Sequence, residues 1–171
     1  MWLRSVVRRR LTLVGRIMRA DFEWAGFLMQ IYSRERWRFV DSEFHVRYAE
    51  TDNMGIVHHS TYFVYFEEGR SEYMRQMGSD YAHVEASGYN LPVTEAQVRF
   101  AGSLRYGQKV RVRTWIAESL SRRLTFAYEI TAGDDPEVLV TGFTRHVWTG
   151  RDGKVTRLPG IWQSHFRTCA E

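Results

Sequence analysis

The sequence predicts an α+β domain in which one antiparallel sheet carries a single long helix across it. Three observations predict this. Residues 61–77 contain no proline, and their large apolar residues Tyr62, Phe66, Tyr73 and Met77 recur near helical spacing with Gly69 between them. Further along, four segments have strand character, and in the clearest two the core side alternates with polar residues: Val110, Val112, Thr114 and Ile116, then Leu124, Phe126, Tyr128 and Ile130. The joins between these segments are short and rich in turn residues, which favours antiparallel neighbours.

In chain order, residues 1–40 form a basic N-terminal extension with nine arginines against three acids. Leu3, Val7, Leu11, Val14 and Met18 mark an apolar stripe on a basic helix, and residues 24–32 are apolar enough to pack on something. Three readings stay open: peripheral membrane contact through residues 1–20, an organelle-targeting segment, or a dispensable leader from a start codon placed too early, with Met18 or Met29 as the alternatives. Residues 43–48 read as the first strand and feed a polar loop, residues 48–59. The helix follows, with Ser60 or His59 as its expected side-chain cap and Gly78 at its left-handed stop. Residues 81–90 read as a partly helical connection interrupted by Gly88. The strands are expected at residues 93–104, 110–116, 124–131 and 138–148, joined through residues 119–122 and 133–136. The main domain is thus residues 41–150. Residues 151–171 form a tail whose Leu158, Trp162 and Phe166 are expected to dock on it.

Composition narrows the function. The formal charge is +4, but the extension carries the excess: the rest of the chain holds 15 basic and 17 acidic residues. A nucleic-acid surface on the domain is therefore unsupported. The single cysteine, Cys169, excludes an internal disulfide and a four-cysteine zinc site, and suits a reducing compartment such as the cytoplasm. No apolar run is long enough for a transmembrane helix.

The densest chemistry lies in residues 48–78, YAETDNMGIVHHSTYFVYFEEGRSEYMRQMG. A carboxylate, Asp52, and two histidines, His58 and His59, stand just before the positive end of a helix. Tyr48, Glu50-Thr51-Asp52, Met54-Gly55, Val57-His58-His59, Tyr62 and Tyr65-Phe66-Glu67 with Arg70 resemble the signature of the 4-hydroxybenzoyl-CoA thioesterase branch of the hotdog superfamily, which includes the Tol-Pal-associated acyl-CoA thioesterases. A weaker resemblance extends over residues 41–149. It implies a hotdog fold, a curved antiparallel sheet wrapped around the helix, and a homodimer joined sheet edge to sheet edge, often paired into a tetramer. It also implies acyl-CoA as substrate, with no cofactor and no metal.

By the same resemblance, the catalytic aspartate maps to Asp52, a loop tyrosine to Tyr48, and a catalytic histidine to His59. The backbone N–H that stabilises the oxyanion falls at or next to His59. Gly55, Val57 and His58 are the expected substrate-binding residues. Asp52 serves either as nucleophile or as general base on water, and sequence leaves both open. The adjacent histidines are expected to point in different directions, which argues against zinc. Glu67 or Glu68 is the reserve carboxylate, although Glu67 is also spaced to pair with Arg70. Arg99, Arg105, Arg122 and Arg123 are available to coenzyme A phosphates, with none assigned. Two other functions compete: a hotdog hydratase or dehydratase, disfavoured because the Gly-Asp-x-Asn-Pro run of that signature is missing, and a non-catalytic acyl-CoA-binding subunit.

Overall fold

The computed structural model describes residues 38–166. The stripe Leu3 to Met18, residues 24–32, the alternative starts Met18 and Met29, and Cys169 lie outside them.

Five strands form one antiparallel sheet: β1 (Phe39–His45), β3 (Val93–Phe100), β4 (Lys109–Ser119), β5 (Arg123–Ala132) and β6 (Val138–Val147), in the order β1-β4-β5-β6-β3. Two-residue strands β2 (Tyr89–Asn90) and β7 (Thr149–Gly150) pair separately. The long helix α1 (Thr61–Gln76) packs mainly on β1 and β4, with a lighter contact to β5, and a short helix α2 (Tyr81–Ala86) follows it.

The sheet's register explains how the helix sits so close. One row across the sheet reads Val40, Thr114, Tyr128, Gly142 and Val98. Two of its members are small, and the helix places its own small residue there. A Cβ on Gly69 would lie 2.4 Å from Thr114 Oγ1 and 2.8 Å from Val112 Cγ1. One turn earlier, the Phe66 ring stacks on Tyr128 at 4.2 Å and fills the space a Cβ on Gly142 would need. The buried helical face is Tyr62, Tyr65, Phe66, Gly69, Tyr73 and Met74. It meets Val110, Val112, Ile116, Leu124, Phe126, Ile130 and Val140 in one core.

Gly78 closes the helix as expected, at φ +81. Its N–H reaches Arg75 O at 2.9 Å and that of Ser79 reaches Met74 O at 3.1 Å, so both bonds of a Schellman ending are made. The expected cap at the other end differs. Ser60 stands in the cap position but makes no side-chain cap bond, because its hydroxyl is 2.8 Å from His58 Nδ1 instead. The first strand is also displaced: it runs from Phe39 to His45 rather than over residues 43–48. Residues Tyr48–Glu50 turn into a 3₁₀ helix because the Glu50 carboxylate accepts from the Arg47 N–H at 2.8 Å. β3 likewise ends at Phe100, earlier than expected. β5, in the middle of the sheet, is buried on both faces rather than one: Thr125, Ala127 and Glu129 are covered as well. The tail docks as expected, with Phe166 edge-on to Trp148 at 5.3 Å and Trp162 Nε1 donating to Ser87 Oγ at 3.2 Å. No helix among the described residues is long and apolar enough to cross a membrane.

Candidate active site

The loop carrying Asp52 is a tight hairpin. Thr51 bridges Val57, the Asp52 N–H reaches Ile56 O at 2.9 Å, and the Gly55 N–H returns to Asp52 O at 2.9 Å. Gly55 adopts φ +70, which its missing Cβ makes inexpensive. Asp52 is half-buried. Its Oδ1 accepts from the Met54 N–H at 2.8 Å, and Oδ2 makes no hydrogen bond among the described residues. One carboxylate oxygen is thus fixed by the turn.

The returning arm leads straight to α1. Val57 is buried in the core, with its N–H on Leu104 O at 2.8 Å. The His58 N–H crosses to Glu50 O at 2.9 Å. The His59 N–H has no hydrogen-bond partner among the described residues, and it lies just ahead of the helix. Both imidazoles are exposed. Contrary to expectation they do not diverge: their rings lie 4.1 Å apart at an interplanar angle of 37°. Among the described residues no group of three or more His, Cys, Asp or Glu is placed to hold a metal ion.

Tyr48 is 78% exposed and meets Tyr106 edge-on at 5.6 Å. Among the described residues no hydrogen bond joins it, or either histidine, to the Asp52 carboxylate. The chain therefore gathers Tyr48, Asp52, Gly55, Val57, His58 and His59 on one folded loop, with the two histidine rings against each other but neither they nor Tyr48 bonded to the Asp52 carboxylate. Glu67 and Glu68 are exposed and engaged in ion pairs, Glu67 with Arg70 at 3.0 Å as its spacing suggested and Glu68 with Arg75 at 2.7 Å. Of the four arginines, Arg105 reaches the loop, donating to Gly55 O at 3.4 Å, whereas Arg123 is held by Glu118.

Two supports of the loop escaped sequence reasoning. Glu50 Oε2 accepts from Tyr65 OH at 2.8 Å, and the Leu104 N–H donates to Tyr62 OH at 3.3 Å. Burial, with the Glu50 carboxylate beside it, pushes the Tyr65 hydroxyl far above the ordinary phenol range, so it remains a donor. Glu50 stood in the matched signature, but its partner is 15 residues away on a helix face, and only folding shows the pairing.

A third polar group lies deep under the helix. His146 is buried, with Nδ1 3.0 Å from Leu91 O and Nε2 2.9 Å from Thr144 Oγ1, and Thr144 also meets Tyr128 OH at 2.6 Å. Burial lowers the His146 pKa to about 4, so the imidazole is neutral at ordinary pH.

A hairpin carboxylate ahead of a helix start can attack, or deprotonate an attacker, while backbone N–H groups receive the charge that develops. The profile of the thioesterase-like superfamily matches residues 46–164. The Bacillus subtilis (strain 168) protein named "Putative acyl-CoA thioesterase YneP" is 38% identical over 88 residues, 52% of this chain and 64% of that protein, so the match spans less than two thirds of its length. A protein of unknown function from Thermus thermophilus, TT1821, has a crystal structure similar at TM-score 0.70 with 39% identity, over 74% of this chain and 95% of that one. The structure of a DHNA-CoA thioesterase from Staphylococcus aureus is similar at TM-score 0.66 with 32% identity, covering 75% and 83%. The profile takes in the Asp52 hairpin, the helix and the sheet strands β3 to β6, and on that match the chain belongs to the thioesterase-like superfamily, with its hotdog fold.

Proposed function

We propose that this chain is an acyl-CoA thioesterase, hydrolysing acyl-CoA to a carboxylic acid and CoA, with Asp52 as its catalytic carboxylate. The observation that carries the reading is the Asp52 hairpin itself: one oxygen is pinned by the Met54 N–H and the other is unpaired among the described residues, while the His59 N–H, also without a partner among them, lies just ahead of the helix that starts at Thr61. The thioester carbonyl oxygen points at the His59 N–H, where the partial positive charge of the helix start stabilises the oxyanion. As general base, Asp52 takes a proton from water while the water oxygen bonds to the carbonyl carbon. The tetrahedral intermediate collapses, the C–S bond breaks, and CoA leaves as thiolate, which recovers the proton. As nucleophile, Asp52 bonds to the carbonyl carbon directly and expels the thiolate, and water then hydrolyses the mixed anhydride. Label in the Asp52 carboxylate after single turnover in ¹⁸O-water marks the second route, because it requires the anhydride and attack of water at its Asp52 carbonyl.

His59 and Tyr48 complete the catalytic set, and Gly55, Val57 and His58 line the substrate's path. The setting is cytoplasmic. A homodimer, or a pair of dimers, completes the site: β3 is an edge strand with most of its residues exposed, and a second copy would cover it. The test is thiol release from a panel of acyl-CoAs by wild type and Asp52→Asn. Turnover by wild type with a loss of about a hundredfold or more in the variant supports the reading. Equal activity moves the reaction to another carboxylate, and absence of thiol release from every ester overturns the function.

A further inference from the structure

Both arms of the Asp52 hairpin are tied to the same face of α1, each through one tyrosine hydroxyl. The outgoing arm is held by Glu50, whose carboxylate accepts from Tyr65 OH at 2.8 Å and whose carbonyl accepts from the His58 N–H at 2.9 Å. The returning arm is held at Val57, whose N–H binds Leu104 O at 2.8 Å while the Leu104 N–H binds Tyr62 OH at 3.3 Å. Tyr62 and Tyr65 are both buried and meet each other edge-on at 5.7 Å, and Phe44 of β1 packs on Tyr65 at 4.9 Å. The Glu50 charge is met by the Arg47 N–H at 2.8 Å and the Arg47 guanidinium at 3.5 Å.

We infer that Tyr62, Tyr65 and Glu50 are positioning residues that hang the Asp52 loop from the helix at two points, fixing the carboxylate relative to the N–H groups at the helix start. This deepens the thioesterase reading and rests on it for its effect on rate. The carboxylate and the N–H donors must meet one substrate carbon from two sides, and small misplacements in such a site cost large factors in rate. A two-point attachment fixes both the height and the tilt of a short hairpin, whereas either tie alone leaves it free to pivot. Both ties end on one rigid helix, so the loop and the oxyanion donors share a frame.

The experiment combines Tyr62→Phe, Tyr65→Phe, the double variant, Glu50→Gln and Glu50→Leu with Asp52→Asn, in the full chain. Each phenylalanine keeps the ring and its packing and removes the hydroxyl. The expected result is a fall in kcat of about tenfold per tyrosine, with KM changed by less than about twofold. Glu50→Gln keeps an acceptor for Tyr65 and retains most of the rate, and Glu50→Leu does not. In the Asp52→Asn background the phenylalanines remove little of the residual turnover, because the group they aim is already gone.

Amide hydrogen exchange supplies a readout independent of activity. Tyr65→Phe speeds exchange at His58, and Tyr62→Phe at Leu104 and Val57, by about fivefold. Unchanged kcat in a folded double variant, unchanged exchange at all three amides, or a full multiplicative loss on Asp52→Asn each overturns the inference. If the double variant fails to fold, the single variants decide by the same criteria. If wild type releases no thiol from any ester, the thioesterase reading fails by itself, and the exchange experiment still decides whether the tyrosines hold the loop.

Discussion

The closest approach between helix and sheet makes Gly69→Ala the sharpest test of the packing. In an exposed helix interior this change stabilises by about 1 kcal/mol, through backbone entropy. Here the added Cβ would lie 2.4 Å from Thr114 Oγ1 and 2.8 Å from Val112 Cγ1, both shorter than real Cβ contacts. Both neighbours belong to β4, whose backbone is paired on one side to β1 and on the other to β5, so neither can retreat freely. Overpacking of this kind costs about 1–3 kcal/mol, and two contacts under 3 Å place it at the upper end. The net expectation is destabilisation by about 2 kcal/mol, or a Tm lower by about 4–8 °C in a domain of this size. Urea denaturation and a thermal scan measure it. Thr114→Ala in the same chain is the control. The Thr114 hydroxyl makes no hydrogen bond among the described residues, so its loss strands no partner, and the shorter clash goes with it. The pair Gly69→Ala/Thr114→Ala is then more stable than the sum of the single changes predicts. A Gly69→Ala protein as stable as wild type, or strictly additive changes, would refute the reasoning.

Three further outcomes are expected. His146 titrates near 4 when folded and near 6.5 when unfolded, so below about pH 6.5 the unfolded chain gains a proton that the folded one does not. Stability therefore falls as pH drops from 6.5 towards 4, by about 3 kcal/mol from this group, and His146→Gln flattens that part of a urea-midpoint profile against pH. Gly78→Ala forces a side chain into φ +81 and lowers stability by about 1 kcal/mol, read from the urea midpoint, whereas an alanine tolerated without loss would contradict the left-handed ending. Light scattering at micromolar concentration should give at least twice the chain mass, and a monomer would remove the dimer from the proposal.

The helix and the main strands were legible in the sequence because each rests on local patterns: the apolar spacing from Tyr62 to Tyr73, the stop at Gly78, and the alternation through Val110 and Leu124. The loop around Asp52 was legible through its resemblance. What escaped were the features set by competing or distant partners. Ser60 has the chemistry of a cap, but His58 competes for its hydroxyl. The first strand begins at Phe39 because β4 continues to Trp115 and offers it a partner there, which nothing local announces. His146 falls in a strand pattern as one more inward position. Its bond to Leu91 needs β6 folded against the chain leading into β3. The Glu50–Tyr65 tie joins a turn to a helix face and has no local signature at all.

The docked tail sets a timetable for folding during synthesis. Trp148 is covered by Phe166, and the turn between β4 and β5 receives the Leu158 N–H at Ser121 O, 2.7 Å away. Translation delivers residues 149–166 roughly one to four seconds after Trp148. During that interval the sheet can be fully paired while one end of its core still lies open to water. A nascent chain stalled there would present Trp148 and its surroundings as a sticky surface. Ribosome-bound chains halted before and after Phe166 emerges should accordingly differ in their demand for chaperones, although every strand of the sheet is already in hand.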